Sequence, residues 1–128
     1  MTGNVLIVDD DTGSGRLLAV LVRQLGHAAT HVESGGKALE YMGSHRPDLV
    51  ILDVMMPGMD GLEVLRRMRQ DPNTQQVPVV MFSALADPQL RRTVREQGAN
   101  DYWVKASFDF RQLEKHLEEY LPPENPHN

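Results

Sequence analysis

No cysteine occurs among the 128 residues, which excludes disulfides and thiolate metal sites and leaves no record of redox compartment. No apolar run reaches the roughly 18 residues that a membrane-spanning helix needs. The opening "MTGNVLIVDDD" is too short in its apolar part and too acidic for a secretory leader. Positive charge is scarce as well: 13 Lys and Arg stand against 18 Asp and Glu, a formal net charge of −5. Phosphate backbones are bound by clustered cations, so direct nucleic-acid binding is not expected. The two basic clusters, "RRMR" (66–69) and "RRTVR" (91–95), fall on helical patterns and read as solvated faces. There is no internal repeat and no low-complexity tract. The expectation is a cytoplasmic protein with no membrane partner.

What is present has the character of one globular unit. Hydrophobic residues make up 41% and charged residues 24%, and the length suits a single domain with a real core. Strands are expected at Val5–Val8, Ala28–Val32, Leu49–Leu52, Val79–Phe82 and Tyr102–Val104. Between and after them, apolar residues recur at three-and-four spacing, as in Leu17, Leu18, Leu21, Val22 and Leu25, or Leu113, Leu117 and Leu121. Helix starts carry chemical punctuation. Asp60 with Glu63, and Asp109 with Gln112, fit capping boxes, and Asp87-Pro88 places an acid before a first-turn proline. The paired prolines of "PPENPHN" end the last helix, so residues 1–121 read as the domain and 122–128 as a tail or linker stub. Five strands alternating with five helices imply an α/β fold, a doubly wound parallel sheet with helices on both faces. Runs such as "VLIV", "LVIL" and "VPVVMF" suit strands covered on both sides.

Ligands bind such sheets outside the carboxyl ends of the strands. The first strand runs into Asp9, Asp10 and Asp11, the third into Asp53, the fourth into Ser83 and the fifth into Lys105. Two carboxylates about 4 Å apart repel by roughly 4 kcal/mol at the effective dielectric usual near a protein surface. Several such pairs rival the whole stability of a domain, about 5–15 kcal/mol. Either some of these acids are protonated or a cation neutralises them. An oxygen-only donor set, without Cys or paired His, favours a hard ion, and partly hydrated Mg²⁺ is the better account. Magnesium beside an aspartate, a lysine and a hydroxyl makes a phosphoryl-transfer site, with a carboxylate available as nucleophile. "GSG" (13–15) has the look of a phosphate loop, but the three acids before it would repel a nucleotide. The histidines, His27, His31, His45, His116 and His127, show no metal-ligand spacing and are expected to be exposed.

Taken together, "VLIVDDD", "DLVILDVMMPGMDG", "VPVVMFSA" and "GANDYWVK" resemble the receiver domain of two-component response regulators. The resemblance spans roughly residues 3 to 121. It implies a flavodoxin-like sheet of strand order 2-1-3-4-5. It also implies that Asp53 is the phosphoacceptor, that Asp9, Asp10 and the Met55 backbone carbonyl join Asp53 in holding Mg²⁺, and that Ser83 and Lys105 bind the phosphoryl oxygens. Ser83 and Tyr102 match the family's switch pair. A histidine kinase or phosphotransfer protein is the implied donor, and an unidentified downstream protein the implied target. The usual contact face, formed by the fourth helix, fifth strand and fifth helix, carries Arg91, Arg95, Arg111 and Lys115. One position departs from the pattern: Ala106 follows the lysine where the family usually has a cis proline. A cis bond costs about 2.5–4 kcal/mol before other residues, so a trans Lys105–Ala106 bond and a repacked loop are expected.

The alternatives are a magnesium-dependent phosphohydrolase and a scaffold that never turns over phosphate. Many such hydrolases carry a second aspartate two residues after the nucleophile, where this chain has Met55. The intact set of Asp9, Asp10, Asp53, Ser83 and Lys105 argues against the scaffold. The expected protein is a switch that catalyses only its own phosphorylation and dephosphorylation.

Overall fold

The computed structural model describes residues 3–121; the expected tail at 122–128 lies outside them. All five strands are parallel: β1 (Asn4–Val8), β2 (Ala28–Val32), β3 (Leu49–Asp53), β4 (Val79–Ser83) and β5 (Asp101–Val104). Their spatial order is β2-β1-β3-β4-β5. Helices α1 (Thr12–Gln24), α2 (Gly35–Met42), α3 (Gly61–Gln70), α4 (Pro88–Glu96) and α5 (Phe110–Tyr120) connect and follow them. The α/β, doubly wound architecture expected from the alternation is the one found.

Alternation of side chains along each strand builds two separate cores. Leu6, Val8, Val50, Leu52, Val79, Met81 and Tyr102 face α2, α3 and α4. Val5, Ile7, Leu49, Ile51, Val80, Phe82 and Trp103 face α1 and α5. Adjacent Tyr102 and Trp103 therefore point to opposite faces, as strand geometry requires. Leu6, Ile7, Leu49, Ile51 and Leu52 are completely buried, each contributing about 1.5–3 kcal/mol relative to exposure. A slip of one residue would exchange the two faces, so this burial locks the register.

Register in turn places the strand ends. Val8 pairs with Leu52, so the next step along both strands brings Asp9 level with Asp53. The sheet order reverses between β1 and β3, which makes this the crevice where ligands bind in such folds. The structure runs β3 and β4 one residue beyond the expected ends, so Asp53 and Ser83 sit within strands. Parallel pairing holds their backbones rather than leaving them in loops.

The helix starts follow their sequence signals, with one difference. Asp109 and Gln112 form a complete capping box, and Asp87 caps the Pro88 turn. Asp60 accepts from the Glu63 backbone, but Glu63 turns its carboxylate to Arg66 and Arg67 instead of closing the box. Asp11 caps α1 by accepting from Gly13 and Ser14. The basic cluster 66–69 is only partly a solvated face. Arg66 and Arg67 are exposed, whereas the Arg69 guanidinium donates to the carbonyls of Val77 (2.8 Å) and Gly98 (2.9 Å) and ties α3 to the loops that lead into β4 and β5. Its acceptors lie across distant loops, which helical periodicity does not reveal. The Lys105–Ala106 bond is trans, since no described peptide is cis, and a short 3₁₀ turn, Lys105–Ser107, leads toward α5.

Gly61 opens α3 directly beneath the site. A Cβ there would stand 2.2 Å from the Asp53 carbonyl oxygen and 2.9 Å from Val54 Cα. Neither backbone atom can give way without moving the end of β3. Gly61→Ala is therefore expected to destabilise the protein by about 1–3 kcal/mol despite alanine's better helix propensity, which urea unfolding would measure.

Candidate functional site

Asp9 and Asp53 are carboxylates in places normally reserved for aliphatic side chains, at 2% and 6% exposure. Asp10, just past β1, is exposed. One carboxylate oxygen from each of Asp9, Asp10 and Asp53 lies within 4.8 Å of the others. The register of β1 against β3 brings Asp9 level with Asp53, and Asp10 joins them from the turn after β1.

Lys105 answers the charge. Its Nζ donates to Asp9 Oδ2 at 2.9 Å and to Asp53 Oδ2 at 3.3 Å, joining three residues far apart in the sequence. It also lies 5.5 Å from the centre of the Phe82 ring, whose face attracts a cation. Burial works against the ammonium, but its bonds to Asp9 and Asp53 outweigh that and raise the Lys105 pKa. The other oxygens are also held. Asp9 Oδ1 accepts from the Asp11 N–H at 2.9 Å, and Asp53 Oδ1 accepts from the Met55 N–H at 3.2 Å. Burial first, and the adjoining Asp9 carboxyl second, push the Asp53 pKa from 3.8 up to about 6, with Lys105 opposing.

Ser83 is fully buried, and its Oγ accepts from the Leu85 N–H at 3.1 Å. The Tyr102 hydroxyl donates to the Leu85 carbonyl at 2.5 Å, and Arg91 covers the Tyr102 ring, 5.2 Å from its centre. The two side chains expected to pair thus meet the same residue, Leu85, in the loop from β4 to α4. Sequence reasoning did not find Leu85, because only its backbone takes part. Met55, by contrast, presents an exposed side chain on the loop after β3.

His45 is exposed as expected and His127 lies outside the described residues, but His27, His31 and His116 are half-buried. His31 bonds the Asp9 backbone carbonyl at 2.8 Å. His116 stacks on Trp103 with ring centres 4.7 Å apart. "GSG" (13–15) lies in α1 and its first turn rather than in a phosphate loop.

Fold and site together define a parallel α/β domain with an acid cluster and a half-buried ammonium at its carboxyl edge. Residues 5–118 match the model of the response regulator receiver domain, and the chain belongs to that family, the phosphoacceptor switches of two-component signalling. It is 37% identical over 105 residues to the response regulator PleD of Caulobacter vibrioides, covering 82% of this chain and 23% of that protein. A putative response regulator from Chloroflexus aurantiacus superposes with a TM-score of 0.88 at 33% identity, covering 94% of this chain and 98% of that one. The receiver domain of a sensor histidine kinase from Pseudomonas aeruginosa, with a magnesium ion coordinated in its active site cleft, superposes at 0.85 with 27% identity and covers 94% and 98%. The chain spans only 23% to 46% of the length of the curated relatives it matches. No helix among the described residues is long and apolar enough to cross a membrane.

The raised Asp53 pKa makes a prediction about the metal-free protein. An unfolded Asp53 ionises near 3.8 and the folded one near 6, so the folded state holds the extra proton between those values. Stability then falls as pH rises through that window. Asn at this position has no proton to lose. In EDTA, Asp53→Asn should gain about 1–3 kcal/mol over the native protein between about pH 4 and pH 7, as read by urea unfolding. An unchanged difference across that range contradicts the assignment.

Proposed function

We propose that Asp53 accepts a phosphoryl group from a histidine kinase or phosphotransfer protein, with Mg²⁺ held by Asp9, Asp10, Asp53 and the Met55 backbone carbonyl. The observation that carries this reading is the Asp9–Asp10–Asp53 cluster bridged by Lys105 at the reversal point of the sheet. The donors are all hard oxygen, as Mg²⁺ prefers. One oxygen from each of the three carboxylates lies within 4.8 Å of the others, close enough for them to share one ion. When bound, Mg²⁺ supplies positive charge to the oxygens of the phosphoryl group.

Each residue has a separable task. Asp53, held 3.3 Å from Lys105, supplies the nucleophilic carboxylate oxygen. An Asp53 oxygen attacks phosphorus as the donor's N–P bond breaks. The product is an aspartyl phosphate, and the released imidazole takes up a proton. Lys105 transfers its hydrogen bonds from the carboxylates to a phosphoryl oxygen, where charge accumulates. Ser83 accepts from Leu85, and its own proton is available to a second phosphoryl oxygen. That movement releases the Leu85 N–H, and the Tyr102 bond to the Leu85 carbonyl carries the change toward α4. The chain is then a switch acting only on itself, with residues 1–121 as the receiver unit.

Arg91, Arg95, Arg111 and Lys115 provide the downstream protein's contact face. Arg91 lies against Tyr102, so this surface adjoins the switch. The formal net charge of −5 supports a protein rather than a nucleic acid as the direct partner of this segment, and a cytoplasmic location suits that exchange.

Incubation with acetyl phosphate and Mg²⁺ should add one phosphoryl group by intact-mass measurement, and neither EDTA-treated protein nor Asp53→Asn should gain it. Lys105→Ala should slow labelling by about 10²-fold or more. Labelling that persists in Asp53→Asn contradicts the assignment, and turnover of external phosphoesters instead would favour a hydrolase.

A further inference from the structure

Every polar atom of Asp9 is occupied. Its N–H donates to the Val32 carbonyl at 3.1 Å, its carboxylate meets Asp11 and Lys105, and its carbonyl meets His31 Nε2 at 2.8 Å. A carbonyl oxygen only accepts, so Nε2 is the donor and carries hydrogen. Among the described residues, His31 is the side chain that holds this carbonyl. The carbonyl belongs to the peptide linking Asp9 to Asp10, so its orientation sets the direction in which the exposed Asp10 leaves the backbone.

The seat of the imidazole is built into α1. A Cβ at Gly15 would fall 2.1 Å from His31 Nε2 and 2.4 Å from Cδ2, so only glycine admits the ring there. Glycine within a helix costs about 0.5–1 kcal/mol relative to alanine. The last glycine of "GSG" thus gives up helix stability at the one place where the histidine must pass. His31 also lines an open groove with Arg16 and Lys37, so a replacement side chain has room toward solvent.

We propose that His31, seated on Gly15, is a positioning residue for the cation site, fixing through the Asp9 carbonyl the peptide from which Asp9 and Asp10 project. This rests on the magnesium reading above. Partners that orient metal ligands typically change affinity by about 10–100-fold when removed. The test is Mg²⁺ binding to metal-free protein by calorimetry, for native, His31→Phe, His31→Gln and Gly15→Ala.

His31→Phe keeps a ring but loses the donor, and should weaken Mg²⁺ about tenfold. His31→Gln, with an amide nitrogen of similar reach, should recover most of that loss, which a merely space-filling role would not allow. Gly15→Ala retains the imidazole but evicts it, and should match His31→Phe; it also decides the matter if the phenylalanine variant does not fold. At saturating Mg²⁺, acetyl phosphate should label His31→Phe at close to the native rate. Native-like affinity in His31→Phe or Gly15→Ala, or no recovery in His31→Gln, overturns the role of His31 alone. A native protein that binds no Mg²⁺ overturns it together with the reading on which it rests.

Discussion

The repulsion among carboxylates at the meeting of β1 and β3 is the constraint around which this structure is organised. Asp9 and Asp53 are as buried as core residues, and the aliphatic runs behind them hold the register that keeps them level. The Lys105 ammonium bridges both, yet Asp53 still binds its proton more tightly than an ordinary aspartate does. Burial is the larger cause of that and the neighbouring Asp9 carboxyl the next, and Lys105 does not offset them. A divalent cation held between these carboxylates, as proposed above, would relieve their repulsion.

The surrounding backbone is shaped to hold this arrangement in place. Gly61 lets the start of α3 pass against the Asp53 carbonyl, and Gly15 lets His31 reach the Asp9 carbonyl. On the α4 side of the sheet, Ser83 and Tyr102 both bond Leu85, so one residue lies between the serine and the tyrosine. On the α1 and α5 side, Lys105 lies over Phe82, which packs edge-on against Trp103 and Phe108. The two cores place different neighbours around one charged centre.

Much of this was legible in the residues. Near-continuous aliphatic runs ending in acids, a hydroxyl and a lysine reveal both the parallel sheet and the edge where chemistry gathers. Period-two and period-3.6 patterns are strong in strands and helices that bury a whole face, and those elements were found. Harder to read were interactions between residues distant in sequence that leave no periodic trace. Arg69 looks like a surface arginine until its acceptors at Val77 and Gly98 are brought to it. Glu63 has the spacing of a capping box, but two arginines one turn away compete for it. His31 has no metal-ligand spacing because it bonds a backbone carbonyl. Leu85 was invisible for the complementary reason, since its contribution is an amide that every residue possesses.

The most direct test of the central claim is a ¹³C-carboxyl NMR titration of Asp53, with and without Mg²⁺. The account predicts a midpoint near 6 in the metal-free protein and a clear downward displacement when magnesium is added. A midpoint near the ordinary 3.8, unmoved by the ion, would contradict it.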